Sequence, residues 1–336
     1  MMWKGFLLAG LIGAWPAISV AEDAEVIVSD NVSLSAPSAE TGAPLGKRAG
    51  SAIAKSRRHK HVHHTGSLQQ ISNTTTEPQG LFLLSSAVLI IDQEDGHSVY
   101  SKNTDNILPI ASITKLMTAM VVLGADQDLS ESIVIEQADV DTIKNTHSRL
   151  KVGTVVRRGD LLRLALMASE NRAAAALSRA FPGGTPAFVA KMNAHAAELE
   201  LTNTHFVDST GLSFMNVSTP SDLAKMVAAA YKNPLIREYT TTPGLRLTLP
   251  NSHRSLAFNN TNRLVKNSSW DIGLQKTGFI NESGQCLVMQ ANIATRSFVI
   301  VLLDAVGKYS RIADANRVRK WIETHVLASP LAAGPT

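Results

Sequence analysis

Three short groups of residues have the types and the spacing for nucleophilic catalysis. In Ser112-Ile113-Thr114-Lys115 a hydroxyl and an amine stand three positions apart at the start of an expected helix, so they share one face. Serine is a poor nucleophile until a base takes its proton, and a neutral lysine can be that base. A free lysine titrates near ~10.4, so the role requires burial or nearby positive charge. The apolar neighbours Ile110, Leu116 and Met117 predict such a desolvated setting. Ser169-Glu170-Asn171 adds a hydroxyl able to relay a proton to a leaving amine. Its Asn171 amide can bond a substrate carbonyl and hold the lysine. Lys276-Thr277-Gly278 adds an ammonium suited to a peptide carboxylate, which would also depress the pKa of Lys115. On a strand Lys276 and Gly278 share a face, and the bare Gly278 would let substrate backbone dock closely as an added strand. Backbone N–H groups would hold the oxyanion, one of them at Ser112 itself.

The first two groups are common when met alone, and the third is more specific. A second Ser-x-x-Lys occurs at Ser148–Lys151, where no helix is expected, and Ser-x-Asn recurs at Ser29–Asn31 and Ser101–Asn103. Lys-Thr-Gly occurs once. Order and setting select one combination: a helix-borne Ser112/Lys115, an interhelical Ser169/Asn171 and a strand-borne Lys276/Thr277/Gly278.

The elements that must position these groups follow from periodicity and turn chemistry. Val88–Asp92 and His97–Ser101 read as strands about an Asp95-Gly96 turn. Pro109 precedes an almost wholly apolar, hence buried, helix over Ser112–Leu123. Asp160 reads as the N-cap of a helix over Leu161–Ala168, and beyond the break at Ser169–Asn171 an Ala-rich helix runs to Ala180. Thr185-Pro186 opens a helix with Pro at its first position, and Thr219-Pro220-Ser221-Asp222 opens another through a capping-box-like pattern. Strands near Trp270–Phe279, Cys286–Ala294 and Ser297–Asp304, joined by short loops, precede a helix from about Arg311 to Val326. This succession predicts a mixed α/β (α+β) domain with an antiparallel sheet. Cys286, Trp270 and Trp321 are expected in the core. Asp208–Leu212 reads as a loop at a cleft wall, and Asn260-Thr261-Asn262 as a polar rim with no derivable role.

The three motifs, in this order, are those of class A β-lactamases and penicillin-binding proteins. The segments around them resemble one branch more closely. Pro109–Ala119, Leu166–Ala174, Thr277-Gly278-Phe279 and Asp304–Tyr309 are similar to low-molecular-mass penicillin-binding proteins that are D-alanyl-D-alanine endopeptidases, of the penicillin-binding protein 7 type in peptidase family S11. The similarity spans about Leu81 to His325. It implies a β-lactamase/transpeptidase-like fold: a five-stranded antiparallel sheet flanked by helices, with a helical subdomain. It implies no metal or organic cofactor, a second oxyanion donor at the Phe279 N–H, and a carboxylate-binding role for Thr277. It also implies crosslinked peptidoglycan peptides as substrates and β-lactams as covalent inhibitors, with no nucleic-acid partner.

The sequence departs from its wider relatives in two respects. Related carboxypeptidases carry a further β-rich domain and a C-terminal amphipathic anchor, whereas this sequence reaches Ala332–Thr336 soon after the last helix, which predicts a soluble periplasmic enzyme. Class A β-lactamases place a Glu-x-x-x-Asn segment about 34 residues past the Ser-x-Asn asparagine. That offset from Asn171 reaches His205, and Glu198 and Glu200 have Thr202 and Thr204 four residues on.

The 336 residues are 44% apolar, enough for a sizeable core. Lys4, the apolar run over residues 5–20 and Ser19-Val20-Ala21 predict a cleaved signal peptide over 1–21 and a periplasmic location. That run is shorter than the ~20 residues a spanning helix needs. Residues 22–80 read as a disordered basic linker. Its cluster from Lys47 to Lys60, with His59, His61, His63 and His64 at its end and no acidic residue between Glu40 and Glu77, predicts attraction to anionic envelope polymers. The catalytic domain is expected over 81–328 and a short tail over 329–336. Cys286 is the single cysteine, so no intrachain disulfide forms.

The leading functional reading is a serine DD-endopeptidase that cuts D-Ala–diaminopimelate crosslinks through an acyl-Ser112 intermediate. DD-carboxypeptidase activity is the near alternative. A β-lactamase or an inactive wall-binding module on the same fold are the more distant ones.

Overall fold

The computed structural model describes residues 80–249 and 255–327. The expectations for the signal peptide, for the linker up to residue 79 and for the 329–336 tail lie outside the described residues. The chain opens with β1 (Ser85–Asp92), β2 (Ser98–Lys102) and the short β3 (Leu108–Pro109), then a 3-10 turn over Ala111–Thr114 that leads into α1 (Lys115–Gly124). β4 (Ser132–Val134), β5 (Val155–Arg157), α2 (Arg158–Met167), α3 (Asn171–Arg179) and α4 (Gly184–Glu198) follow. After β6 (Val217–Ser218) come α5 (Pro220–Tyr231), α6 (Pro234–Thr241), β7 (Gly244–Thr248) and β8 (Ser255–Asn259). The last part holds β9 (Asp271–Ile280), β10 (Gly284–Ile293), β11 (Arg296–Ala305) and α7 (Ser310–Trp321), ending in a π-helical turn over Ile322–Val326.

Five strands form one antiparallel sheet in the order β2-β1-β11-β10-β9. Successive side chains point to opposite faces, and both faces are covered. Leu89, Val288, Val301 and Leu303 face the core shared with helices α1 to α6. Val88, Ile90, Leu287, Ile300 and Leu302 meet Ala315, Val318 and Trp321 of α7. This double coverage is why the central strands are apolar at nearly every position. α1 is buried from Lys115 to Val122, because α2 to α6 all pack around it. β9 closes the sheet at one edge, beside the 3-10 turn and α6.

The expected order of strands, helices, strands and helix is present, with corrections at element ends. The helix expected from Ser112 is a 3-10 turn first and becomes α-helical at Lys115. α2 starts at Arg158 with Arg157 as its cap, so Asp160 lies inside the first turn, where its carboxylate still meets the positive end of the helix. α4 starts at Gly184, so Pro186 is its third residue, and Gly183 makes the entry at φ 82°. Thr219 Oγ1 accepts from Asp222 N at 3.1 Å as the capping pattern predicts. The Asp222 carboxylate instead accepts from Asn203 N and Thr204 Oγ1. α6 and the β7–β8 hairpin had no counterpart in the sequence reading. A signal for α6 exists in Asn233-Pro234, since Asn233 Oδ1 accepts from Leu235 N at 3.0 Å and Pro234 occupies the first position. Cys286, Trp270 and Trp321 are buried.

Candidate active site

The 3-10 turn gives Ser112 and Lys115 their geometry. In such a turn residues three apart are eclipsed, closer than on an α-helix. Lys115 Nζ lies 2.8 Å from Ser112 Oγ. The turn is entered through Ala111 in a left-handed conformation, φ 46°, a strained backbone for a residue with a Cβ. Lys115 is fully buried, and its Nζ also reaches Asn171 Oδ1 at 2.7 Å and Thr210 O at 2.5 Å. An ammonium would donate to all three oxygens. A neutral amine keeps two N–H groups for the two carbonyl-type oxygens, which cannot donate back. Its lone pair is then left for the one partner that carries a proton, the Ser112 hydroxyl.

Burial makes the neutral form accessible. It pushes the Lys115 amine down to about 7, against a smaller upward pull from the carboxylates of Asp208, Glu170 and Asp141. Lys276 is also fully buried, and burial, followed by repulsion from Lys115 and Arg311, holds its amine well below the ordinary lysine range. Lys276 was expected to depress Lys115. Burial is the first cause at both amines, and the repulsion between the two adds to it.

The second and third motifs meet each other. Ser169 stands in the break between α2 and α3 with a left-handed backbone, φ 57°, and its Oγ accepts from Lys276 Nζ at 2.9 Å. Lys276 Nζ also donates to Thr277 O at 2.8 Å. Thr277 Oγ1 is 2.7 Å from Thr261 Oγ1, and Thr261 N donates to Met167 O at 3.0 Å, which ties β9 to the end of α2. Lys276 and Gly278 pair with Val288 and Cys286, both on the helix-facing side, so they share a face as alternation requires. The physical need for Gly278 differs from the one expected. A Cβ there would lie 2.7 Å from Ile110 O and 3.2 Å from Ala111 Cβ, so the protein's own nucleophile turn occupies that space. Phe279 follows with a half-exposed side chain. Arg311 Nη1 donates to Gly278 O at 2.7 Å and steadies the strand from behind.

Several groups at the site carried no role in the sequence reading. The Thr210 carbonyl on Lys115 comes from the loop expected at a cleft wall. Asp208 shapes that loop, its Oδ1 accepting from Thr210 N and Gly211 N at 2.6 Å each. Gly211, at φ 78°, packs so tightly that a Cβ would lie 1.9 Å from Ala111 O. Across the cleft, Asn171 Nδ2 donates to Thr146 Oγ1, which donates to Asp141 Oδ2. The signals available were Asp-x-Thr-Gly turn chemistry for the first loop and an Asp-rich turn for the second.

Other candidates lie apart from this cluster. Ser148, of the second Ser-x-x-Lys, has no helical frame, and its Oγ accepts from Leu150 N at 3.0 Å. His205 N and Val217 N exchange backbone bonds at 3.0 Å, and the Glu198 carboxylate pairs with His195 at 2.7 Å on α4. Glu170 is buried beside the site, and burial raises its carboxyl above the usual range while the Ser148 hydroxyl bonds it.

Comparison with known proteins gives a concordant picture. Residues 72–307 match the D-alanyl-D-alanine carboxypeptidase family, peptidase S11. A D-alanyl-D-alanine endopeptidase of Pseudomonas aeruginosa is 47% identical, covering 75% of this chain and 81% of the relative. One from Escherichia coli K12 is 44% identical, covering 78% and 84%. Among solved structures, a mutant of the Streptomyces K15 DD-transpeptidase superposes with a TM-score of 0.66 at 30% identity, covering 71% of this chain and 98% of that one. A Listeria monocytogenes penicillin-binding protein in an ampicillin-bound form superposes with a TM-score of 0.62 at 28% identity, covering 72% and 98%. The match over residues 72–307 and the identities to the two endopeptidases place the chain in peptidase family S11 as a serine-type D-alanyl-D-alanine endopeptidase/carboxypeptidase.

Proposed function

We propose that the protein hydrolyses the D-Ala–diaminopimelate crosslinks of peptidoglycan through an acyl-Ser112 intermediate. The observation that carries this reading is the threefold environment of Lys115 Nζ, which leaves the lone pair of a neutral amine to the Ser112 hydroxyl. Lys115 takes the Ser112 proton as Oγ attacks the D-Ala carbonyl carbon. The N–H groups of Ser112 and Phe279 hold the oxyanion, and the closeness of Gly278 to the Ile110–Ala111 turn brings these two peptide segments together. The C–N bond breaks as Ser169 Oγ passes a proton to the leaving amine and is reprotonated at the expense of the Lys115 ammonium, which returns Lys115 to its neutral form. Lys276 and Thr277 bind the carboxylate beside that amine, and its negative charge favours the ammonium form of Lys276. Asn171 bonds a substrate carbonyl as well as Lys115. Water then cleaves the acyl ester with Lys115 again as base, and Ser112 is restored.

The high identity to proteins named endopeptidases favours that activity over the carboxypeptidases, which match at 27–32%. Digestion of purified crosslinked and uncrosslinked muropeptides by the full chain tests the choice. Release of monomers from crosslinked dimers is expected. Loss of terminal D-Ala from pentapeptide monomers, with dimers left intact, would make it a carboxypeptidase instead. The proposed place of action is the periplasm, which the sequence of residues 1–21 supports.

A further inference from the structure

The direction of a bound peptide along β9 follows from the site. Ser169, the proposed proton donor to the leaving amine, is bonded to Lys276, whereas the nucleophile turn abuts Gly278. The leaving side therefore lies toward Lys276, and the acyl side runs past Phe279. Just beyond Phe279, among the ends of β9, β10 and β11 and the start of α7, lies a cavity of about 800 Å³. Phe279 is on its wall, as is Thr261, which is bonded to Thr277 at 2.7 Å, so the cavity adjoins the site.

Its chemistry is specific. Phe279 and Val306 give it apolar walls that are 54% and 80% exposed, large values for such residues. The Tyr309 ring is flanked by the Arg263 guanidinium and the Lys308 ammonium, each 5.7 Å from its centroid. Neither cation has a carboxylate partner among the described residues. Arg311 is occupied by Gly278 O, and Asp304, the acidic residue in the lining, accepts from Ser86 Oγ at 2.7 Å.

We propose that this cavity is the subsite for the acyl-donor stem of the crosslinked peptide. Arg263 and Lys308 bind a carboxylate on that stem, and Tyr309 and Phe279 cover its aliphatic part. The proposal rests on the acyl-Ser112 reading, which fixes the direction of the peptide. The acylamino side chain of benzylpenicillin carries no carboxylate, so its reaction at Ser112 does not depend on the two cations.

The test compares the wild type with an Arg263→Ala/Lys308→Ala double variant. Both proteins are given a crosslinked muropeptide dimer and the same dimer with its donor-stem carboxylates amidated, and benzylpenicillin acylation is measured for each. The double variant is expected to lose about tenfold in kcat/KM on the free-carboxylate dimer, through KM, with the loss shrinking at high salt. The wild type is expected to lose a similar factor on the amidated dimer, and the two losses should not add. Penicillin acylation at the wild-type rate shows that the variant is folded. If the double variant is misfolded, the wild-type preference between the two dimers decides alone. Equal cleavage of both dimers by the wild type, or equal cleavage of the free-carboxylate dimer by both proteins, overturns the subsite and leaves the acyl-enzyme reading intact. Failure of the wild type to react with penicillin would overturn that reading instead.

Discussion

Asn171 Nδ2 donates to Thr146 Oγ1 at 2.9 Å, and this bond fixes which way round the Asn171 amide stands. Thr146 has one hydroxyl proton, held by Asp141 Oδ2 at 2.7 Å, so toward Asn171 its oxygen can only accept. The amide nitrogen must face Thr146 and the amide oxygen must face Lys115. Reversed, the amide N–H groups would compete with Ser112 for the Lys115 lone pair. Partial burial pushes the Asp141 carboxyl up, and the N–H groups of Ile143, Lys144 and Thr146 together outweigh it and keep the carboxyl below the usual range.

Thr146→Val removes the acceptor while keeping the shape. Acylation of Ser112 should slow by about tenfold, the worth of one buried hydrogen bond at ~1–1.5 kcal/mol. Thr146→Ser should restore it. Stopped-flow acylation with a chromogenic β-lactam measures both, and an unimpaired valine variant would contradict the orientation argument.

In the proposed mechanism acylation requires neutral Lys115, so its rate should rise with pH through about 7. Lys276→Ala removes the repulsion between the two buried amines, so it should lower the rate, raise KM and move the midpoint upward. An unmoved midpoint would show that burial alone sets it.

The same burial couples Lys115 to stability. Its folded value, about 7, lies below the unfolded value of ~10.4, so the unfolded chain holds more protons between them. Its contribution is complete above ~10.4 and is lost as pH falls toward about 7, a difference on the order of 5 kcal/mol. Stability measured as wild type minus Lys115→Met should therefore grow by ~1.4 kcal/mol per pH unit across that window. Denaturant titrations at several pH values check this, and a flat difference would refute it.

Gly211→Ala should be more damaging than Gly278→Ala. Its Cβ would meet Ala111 O at 1.9 Å on a left-handed backbone, against 2.7 Å to Ile110 O at Gly278. A cost of about 2–4 kcal/mol is expected, with the Ala111–Ser112 peptide displaced. Thermal denaturation and acylation of both variants give the comparison.

The site was legible in the sequence where function depends on side-chain identity at short spacing. Ser112 and Lys115 are three residues apart, and the almost wholly apolar run after them, with Pro109 ahead of the turn, reads as a buried helix. Lys276, Thr277 and Gly278 were legible because a strand alternates. The Thr210 carbonyl was not, since every residue has one and only the fold decides which meets Lys115. Thr146 lies 25 residues from Asn171, with no periodicity to connect them. α6 was hidden because its eight residues, Pro234–Thr241, are too few for an apolar period to repeat and end in two threonines. Gly278 was identified for the wrong neighbour, because a sequence does not show that its own chain fills the space a substrate was expected to need.

The central claim is that Ser112 is the acylated nucleophile of a peptidase. With a peptide the leaving amine departs and makes room for water. With a β-lactam the opened ring stays attached, and at His205 no glutamate stands to activate water around it. Intact-protein mass spectrometry after brief exposure to benzylpenicillin tests this directly. The account predicts one long-lived penicilloyl adduct on Ser112, absent in Ser112→Ala and unchanged in Ser148→Ala. Rapid turnover of the drug by the wild type, or label on Ser148 in place of Ser112, would contradict it.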